Sequence, residues 1–321
     1  MERIRRRLDC LCAGTLVADV RVACPPADSD GDAPLFLMAT PPRSAMGGVS
    51  IVAGRLARLG RSAAVAGCVG NDLLGHGLCA VMAESGVRIG HVRKVRENTG
   101  FSYIRLTEDQ RYIRHSIGAN AVFGRQGKLV EAIRTERPKV FLLAYLGLLP
   151  DIEEKGAERA KIALAVAREV NALTMLDMHT CAKARNLLPG LLPLTDVFFC
   201  NREEAALLSG KNKPDHGFLE GLWRHAGPVT RQRLFGITRA ERVLGLWSPG
   251  NLREPERLDV ANPWFGTRAV TDPTGAGDAF RAGLIEAFLR YGGFMRREET
   301  MAALTAGHRC ASRAVSAPPL P

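Results

Sequence analysis

The feature that constrains the fold most is a regular alternation of short apolar runs with amphipathic stretches in the second half of the chain. The runs predict strands at 140–146, 173–177, 197–200, 234–238 and 243–247, and the amphipathic stretches predict helices at 154–169 and 203–208. Strands that alternate with helices favour a parallel sheet whose crossover helices cover both faces. We therefore predict an α/β fold with a doubly wound, mostly parallel sheet flanked by helices.

The first 120 residues add a smaller β unit to this pattern. A strand at 8–22 leads into a second extended segment, and residues 24–42, rich in Pro, Asp and Ala, predict a loop. Aromatic and polar residues alternate over 99–106 and 111–116 around a turn, which predicts a hairpin with one face in solvent. Helices are predicted at 50–59 and 75–84, with a strand at 63–69 between them. No linker divides the chain, so we expect one domain over 1–321.

Charge and cysteine content exclude several classes of protein. The 321 residues carry a net charge of +11, which suits a small anionic ligand, but the basic residues are scattered and aromatic residues are only 6%, so we expect no nucleic-acid partner. The eight cysteines lie mostly in apolar stretches without the spacing of a zinc site, which predicts buried, reduced thiols. The longest apolar run, 140–149, is too short to span a bilayer. We expect a cytoplasmic protein with no membrane contact.

Residues 270–280 carry the clearest chemical signal. An apolar strand end runs into Asp272-Pro-Thr, then Gly275-Ala276-Gly277, and then a helix that begins near Asp278. Glycines let a ligand approach the backbone closely, and the free N–H groups and dipole of a helix N-terminus attract anions such as a phosphoryl group. Asp278 is then either a first-turn acid that satisfies the helix dipole or a general base beside the anion. The short motif alone leaves both readings open.

The full string Asp272-Pro-Thr-Gly-Ala-Gly-Asp278-Ala-Phe closely resembles the C-terminal signature of the ribokinase-like sugar kinases, the PfkB carbohydrate kinase family. Other segments resemble family motifs in the same order along the chain: Gly14 with Asp19, the pair Gly47-Gly48, the turn at 69–75, Thr99-Gly100 with Gly118-Ala119-Asn120, and Asn201 with Glu204. The resemblance covers about residues 8–316 and implies a ribokinase-like fold with a small β lid, formed by about 15–42 and 96–120.

The resemblance also implies an activity. Members transfer the γ-phosphoryl group of ATP to a hydroxyl, usually the hydroxymethyl group of a sugar or nucleoside. Asp278 would be the general base, and the backbone of Gly275, Ala276 and Gly277 would hold the phosphoryl group, since such a transfer depends mainly on positioning and electrostatic stabilisation. On the acceptor side, the resemblance assigns sugar binding to three residues: Asp19, Gly47 and Gly48.

The resemblance also implies which residues bind the nucleotide and metal ions. Asn201 and Glu204 would organise Mg²⁺ through water, and with Thr238 they would lie at the ATP site. Asp272 would be a candidate ligand for a monovalent cation such as K⁺. Asn201 and Glu204 also have the spacing of a capping box at a helix start, which is the reading that the residues alone favour. The partners implied are a sugar-like small molecule and a second copy of the chain, since lids in this family often pair in a homodimer.

The sequence departs from the family pattern on the acceptor side. No Asn follows Gly47-Gly48, and Val17 and Ala18 lie where an Asn usually precedes Asp19, so two expected polar groups are missing. A buried hydroxyl left without a partner costs about 1–3 kcal/mol, which argues against a standard sugar pose. A catalytically impaired metabolite-binding or regulatory protein and a nucleoside kinase therefore remain as alternatives.

Further candidates come from histidines near predicted strand ends. Arg114 and His115 precede the Gly118 motif and either contact substrate or are solvated, with solvation favoured. Asp177 and His179 follow a predicted strand, where α/β proteins place ligands. No Ser-His-Asp triad or histidine metal cluster can be assembled from recognisable spacings.

Overall fold

A computed structural model describes residues 7–23, 41–106, 111–179, 184–250, 254–267, 269–270, 272–294 and 296–316. Thirteen strands lie within these ranges: β1 (Cys10–Ala13), β2 (Leu16–Ala23), β3 (Arg43–Gly48), β4 (Ala63–Gly70), β5 (Arg88–Val95), β6 (Gly100–Leu106), β7 (Arg111–Ser116), β8 (Val140–Leu146), β9 (Leu173–Met178), β10 (Val197–Asn201), β11 (Arg233–Thr238), β12 (Arg242–Ser248) and β13 (Glu256–Ala261). They form one sheet of nine strands and one of four.

The same ranges contain nine α-helices: α1 (Val49–Arg58), α2 (Leu73–Glu84), α3 (Lys128–Glu136), α4 (Pro150–Glu169), α5 (Ala184–Leu191), α6 (Arg202–Ser209), α7 (His216–His225), α8 (Ala276–Tyr291) and α9 (Arg297–Val315). Short 3₁₀ segments occur among them, one of them at Gly118–Val122.

The large sheet has the order β13-β12-β11-β10-β9-β8-β1-β4-β5. Strands β5, β4, β1, β8, β9, β10 and β11 pair in parallel, whereas β12 and β13 are antiparallel additions at one edge. Because the carboxyl ends of the parallel strands meet at one edge of the sheet, the loops that follow them are brought together there. The predicted α/β architecture is confirmed.

Helices cover both faces of this sheet, and each strand contributes alternate side chains to two separate cores. Leu11 of β1 and Phe141 of β8 pack in one core against α3, α4, α5 and α7. Cys10 and Leu142, one residue away, pack in the other core against α1, α2, α8 and α9. This double burial explains why the central strands are continuous apolar runs without polar alternation.

The predicted elements agree with the structure in the central strands, whereas seven observed elements had no predicted counterpart: β3, β5, β13, α3, α5, α7 and α9. The predicted strand at 140–146 is β8 itself, and the predicted helix at 50–59 is α1, shifted by one residue. Gly47 and Gly48, expected to open that helix, instead end β3, a strand that the sequence analysis missed. Strand β5 was also missed, because it lies at the sheet edge and is rich in exposed basic residues.

The small sheet has the order β3-β2-β6-β7 and contains the predicted hairpin as β6 and β7. Its middle pair, β2 and β6, is parallel, with Asp19 opposite Ser102. The turn predicted at 108–110 and most of the loop predicted at 24–42 lie outside the described residues. That this sheet acts as a lid stays a prediction at this point.

Two compositional expectations can be compared with the structure. The described cysteines at 10, 12, 68, 79, 200 and 310 are all free thiols. Within the described ranges, no helix is both long and apolar enough to cross a membrane.

Candidate functional site

A glycine turn at the start of α8 forms the first part of the candidate site. Gly275 is the N-cap of α8 with a left-handed φ of +76°, which a glycine adopts without strain, and no described side chain caps this helix end. Asp272 shapes the preceding loop, because its Oδ1 accepts a hydrogen bond from the Thr274 N–H over 2.8 Å. The Ala276 N–H makes only a long bond of 3.3 Å to the Pro273 carbonyl oxygen. The turn therefore presents helix N-terminal amides without a competing side-chain acceptor.

Asp278 lies in the first turn of α8 and is buried. Its Oδ2 accepts a hydrogen bond from the Tyr145 hydroxyl over 2.9 Å. Its Oδ1 is buried and has no hydrogen-bond partner within the described part of the chain. Burial raises the pKa of Asp278, opposed by the nearby Arg281, the Tyr145 hydrogen bond and Arg55. A carboxylate with one anchored and one open oxygen, and a raised proton affinity, is suited to accept a proton.

Tyr145, which positions Asp278, was missed by the sequence analysis. It follows the point where the β8–β9 register shifts, and its φ of +64° places a bulky residue in the left-handed region. Its backbone N–H donates to the Asp177 carboxylate, and its ring stacks on His179 at a centroid distance of 6.0 Å. Burial raises the pKa of the Tyr145 hydroxyl well above its usual value, so the hydroxyl stays protonated and donates. Unusual backbone conformations of this kind persist where surrounding contacts hold them.

The positive charge that influences Asp278 most belongs to Arg281, one helical turn further along α8. Its guanidinium forms an ion pair with the buried Asp177 at the end of β9. Burial opposes the charge on Arg281, but the carboxylates of Asp177, Asp278 and Glu204 outweigh burial and raise the pKa of the guanidinium. The sequence analysis had noted Asp177 and His179 but not Arg281.

The second wall of the site is the small sheet, which carries Asp19. Asp19 is buried on β2 and accepts a hydrogen bond from Ser102 of β6. Burial raises the pKa of Asp19 to about 6, the Ser102 hydrogen bond and Arg21 oppose the rise, and the charges of Asp278 and Asp272 add to it. Because the charge of Asp278 contributes to this rise, Asp19 and Asp278 lie close enough to interact electrostatically.

The glycines predicted on the acceptor side pack directly against this wall. A Cβ on Gly47 would lie 2.5 Å from Asp19 Oδ1, so only glycine lets the carboxylate occupy its position. Gly48 has a φ of +68°, and a side chain there would collide with the Thr15 carbonyl oxygen. A Cβ on Gly275 would lie 3.5 Å from Ile51 Cδ1 of α1. The two glycine motifs, more than 200 residues apart in sequence, therefore meet in the fold.

A histidine of the hairpin supplies a further polar group beside Asp19. His115 Nδ1 lies 3.2 Å from the Ser102 hydroxyl, and His115 is an exposed residue of β7. Desolvation by the surrounding protein and the nearby His179 lower the pKa of His115. Ser102 and His115 thus place polar atoms on the acceptor side, where the sequence lacks the two asparagines of the family pattern.

Arg21 joins the two walls of the cleft. Its Nε lies 3.4 Å from Asp272 Oδ2, and its Nη2 lies 3.9 Å from Asp19 Oδ2. The Arg21 guanidinium therefore already supplies a positive charge beside Asp272, the carboxylate expected to be a monovalent-cation ligand. The role of Asp272 toward K⁺ stays a prediction.

Asn201 and Glu204 form the capping box that their spacing predicted. The Glu204 N–H donates to Asn201 Oδ1, and the Asn201 N–H donates to Glu204 Oε2, each over 2.8 Å. Thr238 lies opposite Asn201 on the neighbouring strand, and its hydroxyl donates to the Cys200 carbonyl oxygen over 3.4 Å. The three residues predicted for ATP binding are thus adjacent at the carboxyl end of the large sheet.

The residues near Asn201 and Glu204 offer few carboxylates to a metal ion such as Mg²⁺. Within the described ranges, no three His, Cys, Asp or Glu side chains cluster closely enough to hold a metal ion by themselves. Glu204 is a buried carboxylate near Asp278 and Arg281. Since Mg²⁺ commonly takes one or two carboxylates together with substrate phosphates and water, the donor set fits an ion that arrives with a nucleotide.

Comparison with known proteins gives this geometry a context. The model of the pfkB family carbohydrate kinases matches residues 41–221 and 263–318. The curated ribokinase of Haemophilus influenzae is 26% identical over 235 residues, which cover 73% of this chain and 70% of that protein.

Two solved structures superimpose over nearly the whole chain. Arabidopsis thaliana ribokinase, complexed with ribose and ATP, has a TM-score of 0.71 and 19% identity, covering 97% of this chain and 93% of its own. Adenosine kinase from Sinorhizobium meliloti has a TM-score of 0.73 and 20% identity, with coverage of 97% and 94%. These likenesses confirm the ribokinase-like fold that the sequence motifs predicted.

Proposed function

Because the chain belongs to the pfkB family of carbohydrate kinases, we propose that it transfers the γ-phosphoryl group of ATP to a hydroxymethyl group of a sugar or related small molecule. One observation carries the proposal. Asp278 is a buried carboxylate with one oxygen held by Tyr145 and the other unpartnered, at a glycine-lined helix N-terminus that no described side chain caps. The combination places a base and an anion-binding turn within one helical turn of each other.

In the proposed reaction, Asp278 Oδ1 accepts the proton of the acceptor hydroxyl. The acceptor oxygen forms a bond to the γ-phosphorus, the bond from that phosphorus to the β–γ bridging oxygen breaks, and its electron pair leaves with ADP. Charge spreads over the phosphoryl oxygens during the transfer, and the backbone amides of Gly275, Ala276 and Gly277 would stabilise it. The hydrogen bond that Tyr145 donates to Oδ2 favours the ionised form of Asp278 and so opposes the effect of burial on its pKa.

Nucleotide binding is proposed at the carboxyl ends of β10 and β11. Asn201, Glu204 and Thr238 would line the triphosphate, with Glu204 and the Asn201 side chain organising Mg²⁺ through water. Magnesium supplies positive charge to the phosphate oxygens when bound. Asp272, paired with Arg21, orders the loop that leads into the anion-binding turn. A K⁺ ion at Asp272 remains a proposal that the resemblance alone supports.

Acceptor binding is proposed between the small sheet and the end of the large sheet. Asp19 would accept hydrogen bonds from acceptor hydroxyls, with Gly47 and Gly48 allowing the acceptor to approach the backbone. The small sheet would act as a lid that excludes water, which otherwise competes as a phosphoryl acceptor. The ribokinase similarity supports a sugar, and the adenosine kinase similarity keeps a nucleoside as the second candidate.

Two further proposals concern the oligomeric state and the cellular location of the protein. The outer face of the lid exposes Phe101, Tyr103 and Tyr112, which supports a homodimer that pairs through the lids. The six free cysteines support a cytoplasmic location.

The test is phosphoryl transfer by the purified protein. With MgATP, the protein is offered a panel of hexoses, pentoses, sugar acids and nucleosides, and ADP release is compared with the rate without acceptor. We expect at least one acceptor to raise ADP release and to yield a phosphorylated product by mass spectrometry. Tight binding of a panel member, measured by calorimetry, without any turnover would contradict the kinase and favour the metabolite-binding alternative.

A further inference from the structure

Arg281 is a cationic residue in the buried part of α8, one helical turn after the glycines of the anion-binding turn. Helix α8 buries Ala279, Phe280, Ala282 and Leu284, and Arg281 lies among them with a side chain only 11% exposed. Side chains on an α-helix tilt towards its N-terminus, so a long side chain at 281 extends back over the residue one turn earlier. That residue is Gly277, the last glycine of the turn.

The contacts of Arg281 agree with this direction. A Cβ on Gly277 would lie 2.7 Å from Arg281 Nη1, so the guanidinium lies against the backbone of the turn. Nη2 is held by Asp177, while the buried Nε has no hydrogen-bond partner within the described part of the chain. The guanidinium is thus fixed at one end by a carboxylate and lies beside the proposed phosphoryl position.

A purely structural role would be to neutralise buried carboxylates. Buried ion pairs contribute little net stability, because the cost of removing both charges from water offsets their attraction. Neutralising Asp177 would require only a cation near β9, and lysine would serve equally. The structure instead places a planar group with several donors between Asp177 and the glycine turn, a geometry suited to phosphate oxygens.

We propose that the Arg281 guanidinium contacts the phosphoryl group as it passes from ATP to the acceptor, which makes Arg281 a catalytic residue, and that Asp177 positions it. The proposal rests on the proposed kinase function. As the bond to the ADP oxygen breaks and the bond to the acceptor oxygen forms, negative charge on the phosphoryl oxygens meets a fixed positive charge. Arg281 takes up no proton in this step, since the acceptor proton goes to Asp278.

The test is steady-state kinetics of Arg281→Ala with MgATP and the acceptor that the panel identifies. A contact made only during transfer lowers kcat and kcat/KM together and leaves KM nearly unchanged. We expect kcat to fall on the order of 10²–10³-fold, as for other lost charge-stabilising donors, with KM for ATP changed less than about threefold. Guanidinium ion added to Arg281→Ala should restore part of the lost rate.

Arg281→Lys separates the catalytic role from charge neutralisation and replaces the alanine variant if the latter does not fold. Lysine keeps a cation for Asp177 but cannot bridge two phosphoryl oxygens, so we expect kcat to stay at least roughly tenfold below wild type. Arg290→Ala, at an arginine on the exposed face of the same helix, should leave kcat unchanged.

A kcat for Arg281→Lys equal to wild type, or a loss in Arg281→Ala confined to KM, would overturn the proposal while the kinase function stands. Absence of turnover by wild type with every acceptor would overturn the kinase function itself, and the proposal with it.

Discussion

Asp19 and Asp278 are two buried carboxyls in one cleft with different surroundings. Asp278 accepts a hydrogen bond from Tyr145 and is influenced by the charges of Arg281 and Arg55, whereas Asp19 accepts a hydrogen bond from Ser102 and has Arg21 Nη2 at 3.9 Å. Carboxyls in different environments commonly divide acid–base and binding tasks. We infer that Asp278 handles the proton and that Asp19 holds the acceptor.

The raised pKa of Asp19 predicts a pH-dependent stability. Its pKa of about 6 in the folded protein lies above the usual value near 4, so the unfolded chain ionises first as pH rises. Stability is therefore lost between about pH 4 and pH 6, and the full cost is present above pH 6. Asp19→Asn removes that cost and should be more stable than wild type by about 1–3 kcal/mol at pH 8, and by less at pH 5.

Urea denaturation of both proteins at the two pH values measures this difference. Asp259→Asn, which changes an exposed carboxyl on β13, is the matched control and should show no comparable pH-dependent gain. A gain for Asp19→Asn that shrinks as pH rises would show that the pKa of Asp19 is not raised.

The candidate site residues that the sequence predicted belong to local motifs. The candidate residues that the sequence analysis missed are recognised only from tertiary contacts. Asp278 and the glycines beside it could be predicted, because a helix N-terminus attracts anions and because residues 272–280 resemble a family signature. Tyr145 could not be found, because its function depends on a left-handed backbone at the β8–β9 register shift. Arg281 could have been identified from the sequence, because it is a charged residue three positions after Asp278 within an apolar stripe.

At the scale of elements, side-chain hydrogen bonds hold β2 and the segment before β6 to neighbouring parts of the chain. Asn120 Oδ1 accepts from the Leu16 N–H over 2.8 Å, and its Nδ2 donates to the Leu16 carbonyl oxygen over 3.0 Å. On the other side, the Thr99 N–H and hydroxyl donate to Asp72, the N-cap of α2. The motifs around Asn120 and Asp72 therefore have a structural role beside the small sheet.

Gly47→Ala tests whether β3 sets the position of Asp19. The new Cβ would lie 2.5 Å from Asp19 Oδ1 and 2.6 Å from Val17 Cγ2, so the carboxylate must move. We expect the KM for the acceptor to rise about tenfold or more, with a loss of stability of ~1–3 kcal/mol from overpacking. The measurement is acceptor KM together with thermal unfolding.

Gly77→Ala is the matched control for that substitution. Gly77 lies inside α2 with nothing within 4 Å of its Cβ position. Alanine there should stabilise the helix by about 0.5–1 kcal/mol and leave KM unchanged. An unchanged acceptor KM in Gly47→Ala would show that β3 does not determine the acceptor site.

The sequence predicted the strands whose two faces are both buried. It did not predict strands β3 and β5, in which buried or half-buried residues occur together with exposed ones. Strands β8, β9 and β10 are apolar on both faces, so their runs gave the bounds within one residue. Strand β5 alternates exposed and half-buried residues with Arg, His and Lys at its positions, which conceals a strand pattern. Strand β3 ends in two glycines, whose backbone role is not encoded in hydrophobicity.

At the scale of the whole molecule, the cleft is complete only because three distant parts of the chain converge. The early strand β2 supplies Asp19, the middle strands supply Tyr145 and Asp177, and α8 supplies Asp278 and Arg281. The Arg21–Asp272 pair connects strand β2 to the loop that precedes α8. This convergence depends on the topology of the sheet. The alternation of strands and helices in the sequence predicted a mostly parallel sheet with crossover helices.

Lid pairing is a prediction at this scale. If two copies associate through the aromatic outer face of the lid, Tyr112→Glu places a charge in that interface and should shift the protein from dimer to monomer in sedimentation velocity. Tyr291→Glu, at an exposed aromatic residue at the end of α8, should not. A wild-type protein that sediments as a monomer at micromolar concentration would rule out the pairing.

The measurement that tests the central claim most directly is the turnover of Asp278→Asn. The substitution keeps the shape of the side chain but removes its ability to accept a proton. With MgATP and a working acceptor, kcat should fall by a factor on the order of 10²–10⁴, while ATP affinity measured by calorimetry stays near that of wild type. If Asp278→Asn phosphorylates the acceptor at the wild-type rate, Asp278 is not the base and the mechanism proposed for this cleft is wrong.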